Sequence, residues 1–327
     1  MNEQGSFFFG VLILNMNGLK WLRNLLPCLE EDRCLNKKVY IIDNGSTDGS
    51  VEWVRENHPN VVVLAMPENL GYCMAYNLAS RIAFNDGCDW VIWQNNDTLV
   101  EPGWLDRFAD VATQDPKIGV MGPVFLDWSN DGPNFFMRNR HPDVVPFMLD
   151  SDRAPVDCDW VEGSSCAVRK KCFEDVGPLE PDLFIYWEEA DFCRRARFRG
   201  WRVAIVPGAV ARHYGGGDTA SGNGSVIPFN ALKMHNSYVY KLCDPEREFS
   251  RNVLSAFRLW ISVCRGALRS QTPLHQLRDE AEVFGRVLRR LRRWRAKWCQ
   301  DRAGRHPPTV QNGKSITVEM IVRKGIK

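Results

Sequence analysis

Hydrophobic positions along the first third of the chain alternate between two textures. Residues 8–14, 39–42, 61–65 and 90–93 are short, nearly continuous apolar runs that read as strands buried on both faces. Between them, residues 21–30 and 71–84 show helical spacing. A further helix starts at Ser50, after the small and polar cluster Asp43-Asn44-Gly45-Ser46-Thr47-Asp48-Gly49. Continuous strands separated by helices predict an α/β fold with a mostly parallel central sheet flanked by helices. In such sheets a ligand sits at the carboxyl ends of the strands, which is where the polar loops here fall.

The texture changes at residues 126–160, where Asp, Asn, Pro and aromatic residues follow no period, as in a functional loop or insertion. Order returns over residues 163–218. From residue 228 onward the chain reads as helical, most clearly over 282–298. There Val283, Val287, Leu291, Trp294 and Trp298 recur at three- and four-residue spacing, with Arg286, Arg289, Arg290, Arg293 and Lys297 mainly on other faces.

An apolar fraction of 44% with 25% charged residues is that of a folded globular chain, and 327 residues suffice for one large domain with an appendage. The net charge of +2 hides a strong asymmetry. Residues 250–327 carry 18 basic and 5 acidic side chains, a balance of +13, which leaves −11 for residues 1–249. No apolar run is long enough to span a membrane, and Met1-Asn2-Glu3-Gln4-Gly5 lacks the basic start of a signal peptide. The eleven cysteines form no CxxC pair, so reduced thiols packed as small hydrophobes in a cytoplasmic protein are expected.

Three acidic clusters follow strand-like runs. Asp43, with Asn44 and Ser46 beside it, can accept from a nucleobase imino group or a ribose hydroxyl. Gln94-Asn95-Asn96-Asp97-Thr98 places one carboxylate among amides, suited to Mg²⁺ or Mn²⁺ completed by phosphate oxygens and water. Tyr186-Trp187-Glu188-Glu189-Ala190-Asp191 sets three acids within four residues, whose repulsion raises the pKa of at least one, as a general base requires. His213 is a further metal ligand or phosphate contact. Each has a plainer alternative: a turn at Asp43, a helix cap at Asp97, a solvated helix face at Glu188, a packed imidazole at His213.

In order, these motifs resemble the inverting, nucleotide-sugar-dependent glycosyltransferases of family 2, and their rhamnosyltransferase-like branch in particular. The resemblance covers residues 8 to about 240. Val11-Leu12-Ile13-Leu14-Asn15-Met16-Asn17-Gly18 is similar to the family's first strand and turn, and residues 41–50 to its nucleotide-binding loop. Glu68-Asn69-Leu70-Gly71-Tyr72 with Asn77 is similar to the next signature, and residues 94–98 stand at its metal-binding motif. Residues 163–169 and 184–191 resemble the acceptor-side and catalytic segments, and 201–213 the segment that closes the domain.

The resemblance implies a GT-A (Rossmann-like) fold, a nucleotide-diphosphate-sugar donor and a divalent metal. It places Asn15, Asn17, Asp43, Asn44, Ser46, Asn69, Gly71, Asn77, Asn95 and Asn96 at the donor, and Asp97 and His213 at the metal. Glu189 becomes the base that deprotonates an acceptor hydroxyl, with Glu188 and Asp191 as candidates to share the role. Trp128, Gly163 and Trp187 are expected on the acceptor side, with residues 126–160 as the acceptor loop. Three departures stand out. Glu189 replaces the usual Asp, Met16 stands where an aromatic often stacks on the base, and Asn95 replaces the first acid of the metal pair. His235-Asn236 replaces a pair that often begins with Arg, and no role attaches to it.

The expected division is a catalytic domain over residues 6–227 and a basic helical region over 228–327. The favoured donor is dTDP-rhamnose and the acceptor a polysaccharide or lipid-linked glycan precursor. A degenerate protein that binds the nucleotide-sugar without turnover is the alternative. Residues 250–305, with Trp294 and Trp298 interleaved among cations, are candidates to lie on an anionic membrane surface. That would make the protein peripheral to the inner face of the membrane; a packed helix with solvated arginines is the other reading. Nucleic acid is not expected as a partner, because the body is acidic and RNA-module motifs are absent.

Overall fold

The computed structural model describes residues 7–32, 36–215, 229–269 and 273–304. The chain alternates strand and helix from its start: β1 (Phe9–Asn15), α1 (Leu19–Glu31), β2 (Lys37–Asp43), α2 (Ser50–Asn57), β3 (Val62–Ala65), α3 (Gly71–Asn85) and β4 (Trp90–Asn95). Then follow β5 (Thr98–Val100), α4 (Trp104–Gln114), β6 (Ile118–Leu126), α5 (Phe135–Arg140), β7 (Val156–Asp157), β8 (Ser165–Arg169), α6 (Lys170–Val176), α7 (Glu188–Phe198) and β9 (Arg202–His213). Four helices end the described chain: α8 (Phe229–Leu242), α9 (Phe249–Ala267), α10 (Pro273–Arg289) and α11 (Leu291–Ala303).

The strands form one sheet in the order β3-β2-β1-β4-β8-β6-β9-β5, with β7 paired to β9. β3, β2, β1 and β4 run parallel, β6 and β9 share their direction, and β5, β7 and β8 oppose them. The apolar runs expected as strands are those of the central sheet: Val11, Leu12, Ile13, Tyr40, Ile42 and residues 90–93 are fully buried. Hydrophobic side chains on both faces of a strand need helices on both sides, which is why these runs do not alternate with polar residues.

Parallel register brings three strand ends together. Asn15 pairs with Asp43, and Leu14 with Asn95, so the polar residues after each apolar run meet along one edge. Residues 126–160 are not structureless: they hold α5, a 3-10 turn at Val145–Phe147 and β7. The cysteines are free thiols among the described residues, and Cys73, Cys88, Cys166, Cys172, Cys193 and Cys243 are buried as small hydrophobes.

The helical segment expected over 282–298 is two helices, broken at Arg290. The break turns α11 so that Arg293 reaches Glu180 and Lys297 reaches Asp191, contacts with residues over a hundred positions earlier that no local period encodes. No helix of the described residues is long and apolar enough to cross a membrane. The expected boundary at 227/228 lies outside the described residues, as do Cys34 and residues 305–327.

Candidate active site

The ends of β1 and β2 are tied into one polar network. Asn15 Nδ2 donates to Asp43 Oδ1 at 3.0 Å and to Ser46 Oγ at 3.2 Å, and Asn96 Nδ2 donates to Asn15 Oδ1 at 2.9 Å. Asp43 also accepts from the Ser46 backbone N–H at 2.9 Å, which folds the 43–49 loop back on its own strand. Asn17, in a left-handed turn (φ 51°), donates its N–H to Ser46 Oγ at 2.8 Å and accepts from the Thr47 N–H at 2.8 Å. Asn44 donates to Asn69, whose own oxygen accepts from the Gly71 N–H at 2.8 Å. Gly18 is required here, since a methyl group on it would fall 2.1 Å from Asn96 Nδ2.

Beside this network opens a cavity of about 360 Å³ lined by Asn95, Asn96, Asp97, Gly163, Glu188, Glu189 and His213 among others. His213 bridges two carboxylates: its Nδ1 lies 2.6 Å from Glu162 Oε1 and its Nε2 3.3 Å from Asp97 Oδ1. Burial alone would lower the imidazole pKa. The bonds to Asp97 and Glu162 outweigh it and lift the value to about 10. One carboxylate and one imidazole facing the same cavity suit Mg²⁺ or Mn²⁺, provided His213 gives up its proton. Among the described residues no cluster of three or more ligating side chains exists. Diphosphate oxygens and water would therefore have to fill most of the coordination shell.

The other wall is the first turn of α7. Glu188 is buried, its Oε2 has no hydrogen-bond partner, and burial followed by the charge of Glu189 raises its pKa well above the carboxylate range. Glu189 is raised by burial too, but the N–H groups of Glu189 and Ala190 at the helix start favour its charged form, and its value is about 7. Burial thus favours the protonated form of both adjacent carboxyls, and helix-start N–H groups favour the charged form of Glu189.

Asp191, expected to share the catalytic role, does not line the cavity. Its carboxylate turns instead to Arg194, Arg195 and Lys297 in the interior. Burial works against its charge, but Lys297, Arg195 and Arg194 hold it far below the usual carboxylate range. Asn77, expected at the donor, exchanges two hydrogen bonds of 2.8 Å with the backbone of Leu179 and acts as a clamp. Asp43, Asn15 and Asn44 are buried and bonded to one another at the ends of β1 and β2. Trp128 does not line the cavity; it packs edge-on against Trp21 and Tyr214, next to the strand end that carries His213. Trp187 lies against Tyr240 instead of the cavity.

Three residues escaped the sequence reading. Glu162 precedes the Gly163 motif by one position, and its lone carboxylate gave no cluster signal. Tyr72 donates to the Gly163 carbonyl at 2.6 Å and lines the cavity. Asn236 is the third. Phe184, Tyr186 and Trp187 all have positive φ (59°, 72° and 71°), an uncommon run directly before Glu188. Asn236 Nδ2 donates to the carbonyls of Leu183, Ile185 and Tyr186 at 2.6, 2.7 and 3.0 Å and so holds that segment.

The sequence profile described as Glycosyl transferase family 2 matches residues 11–177. An N-acetylglucosaminyl-diphospho-decaprenol L-rhamnosyltransferase of Mycobacterium tuberculosis is 31% identical over 206 residues, covering 54% of this chain and 66% of that protein. The dTDP-rhamnosyl transferase RfbF of Shigella flexneri is 22% identical over 231 residues, covering 69% and 75%. Among solved structures, S. aureus TarS 1–349 superposes with a TM-score of 0.59 at 15% identity, over 91% of this chain and 87% of that one. The mannosyltransferase PcManGT of Pyrobaculum calidifontis, in complex with GDP-Man and Mn²⁺, gives 0.52 at 18% identity, over 91% and 86%. These structures share the GT-A fold expected from the sequence.

Proposed function

The chain belongs to glycosyl transferase family 2, and from that premise we propose an inverting transfer of a sugar from a nucleotide-diphosphate donor to an acceptor hydroxyl. The observation that carries the proposal is the pairing, in one cavity, of Glu189 with the Asp97–His213 wall. Glu189 accepts the proton of the acceptor hydroxyl. The freed oxygen forms a bond to the anomeric carbon as the bond from that carbon to the diphosphate breaks, and the electron pair leaves with the diphosphate. Attack from the face opposite the leaving group inverts the centre. Glu188, whose burial favours the protonated form, can donate a hydrogen bond to a sugar or acceptor oxygen in that form. Asp97 and His213 would hold a divalent ion, which when bound supplies positive charge to the departing diphosphate.

Asn17, Ser46 and Asn69 are the partly exposed members of the donor network and are read as its contacts to the nucleotide. Rhamnose from a thymidine-diphosphate donor is the favoured sugar, supported by the two relatives whose names state rhamnosyl transfer. The Mycobacterium relative, named for an N-acetylglucosaminyl-diphospho-decaprenol acceptor, supports a lipid-linked glycan here. A binder without turnover would have no use for a carboxyl poised near pH 7 opposite the diphosphate wall.

Calorimetric titration with thymidine, uridine and guanosine diphosphates, with and without Mn²⁺, tests the donor side. Metal-dependent binding lost in Asp97→Ala is the expected result; no binding of any nucleotide would sink the reading.

A further inference from the structure

α9 carries on its outer side an apolar face that the described chain leaves exposed, apart from Phe257 at its edge, whose ring meets Phe284 of α10 edge-on at 5.0 Å. Leu254, Phe257, Ile261 and Leu268 recur at helical spacing and are 50%, 37%, 43% and 62% exposed. The opposite side of the same helix is the packed one: Asn252, Ala256 and Ala267 are buried, and Trp260 stacks on Phe284 of α10. Arg251, Arg258, Arg265 and Arg269 are exposed around the apolar stripe. Among the described residues none of the four pairs with a carboxylate, and residues 249–278 contain no Asp or Glu.

The other basic helices differ. Trp294 is fully buried, and Trp298 donates to the carbonyls of Asp244 and Arg247. Lys297 is buried among acids, and Arg293 bonds Glu180. The interleaved tryptophans expected to meet a membrane are therefore turned inward, and the free amphipathic face lies on α9.

We propose that this face seats the protein on an anionic lipid bilayer, with the apolar stripe at the acyl boundary and the guanidinium groups on headgroup phosphates. A second copy of the chain is the poorer occupant, because two such faces would oppose eight arginines with no acid between them. The proposal deepens the reading of a lipid-linked acceptor. α9 packs on α8, and α8 carries Asn236, which holds the backbone before Glu188. The helix seated on lipid is thus one element away from the catalytic segment.

The test is co-sedimentation of the full chain with vesicles of phosphatidylcholine alone and of phosphatidylcholine with phosphatidylglycerol, at low and high salt. Binding is expected only to the anionic vesicles and weakened by salt. Both Arg251→Gln/Arg258→Gln/Arg265→Gln/Arg269→Gln and Leu254→Ser/Ile261→Ser/Leu268→Ser should lower partition by about tenfold or more, with circular dichroism unchanged. No binding to anionic vesicles, or equal binding by parent and both variants, overturns the proposal. So does a concentration-dependent dimer lost in the serine variant, which would give the stripe to a second copy. Vesicle partition needs no turnover and nucleotide titration needs no vesicle, so failure of this proposal and failure of the transferase reading are told apart.

Discussion

Lys297, in the last helix, places its ammonium 3.3 Å from the Asp191 carboxylate in the first turn of α7, and both are buried. Asp301 lies 2.7 Å from the same ammonium, and Arg195 and Arg194 reach Asp191 at 2.9 and 3.2 Å. The C-terminal region thus supplies a buried counter-charge to the helix that bears the proposed base, next to a segment already held in an unfavourable backbone conformation.

Removing that counter-charge should be costly, because buried Asp301 loses its ammonium partner and Asp191 keeps only its two arginines. Lys297→Met is expected to lower stability by ~3–5 kcal/mol. Denaturant unfolding of Lys297→Met, Asp191→Asn and the double variant should show the two single losses failing to add. Additive losses would mean the two residues are not coupled.

The two glutamates should separate in kinetics. Glu189→Gln removes the proton acceptor and should lower turnover by ~10²–10⁴-fold with nucleotide binding retained. Glu188→Gln replaces a carboxyl whose protonated form burial favours with a group of similar shape, and its loss should be about tenfold or less. The reverse order, measured by sugar transfer or by donor hydrolysis, would reassign the base to Glu188.

Activity and stability should move in opposite directions with pH. Glu189 works as a carboxylate, so turnover should rise as pH passes upward through about 7. The folded state binds this proton more tightly than the unfolded chain does. Stability is therefore expected to fall as pH rises from the ordinary carboxylate range to about 7. Glu189→Gln should flatten both profiles, which a pH series of turnover and of Tm would show.

Asn236→Ala deletes an amide whose two N–H groups are shared among three carbonyls of a segment with three positive φ values. For two donors at ~0.5–1.5 kcal/mol each, the loss should reach about 1–3 kcal/mol. Turnover should fall further than donor affinity, since the residues released lead into Glu188. Equal effects on both, from kinetics and calorimetry, would make Asn236 a stability residue alone.

The sheet and the edge where the site lies were legible in the order of residues. A strand buried on both faces must be apolar throughout, and its first polar residue marks the carboxyl end, so Asn15, Asp43 and Asn95 announced a common edge. The motif order carried the family for the same reason: donor contacts sit on short loops whose residues are neighbours in sequence. What sequence spacing could not settle was orientation and distant partnership. Residues 188–191 read as three equivalent acids, and only the rotation of α7 against the core turned Asp191 toward Lys297 and left Glu188 and Glu189 on the cavity. Likewise the count of +13 for residues 250–327 is fixed by composition. Which of those charges are neutralised inside and which stay on the surface depends on contacts between residues a hundred positions apart. Charge and hydrophobicity are properties of residues, whereas burial and pairing are properties of neighbours, and neighbours are chosen by the fold.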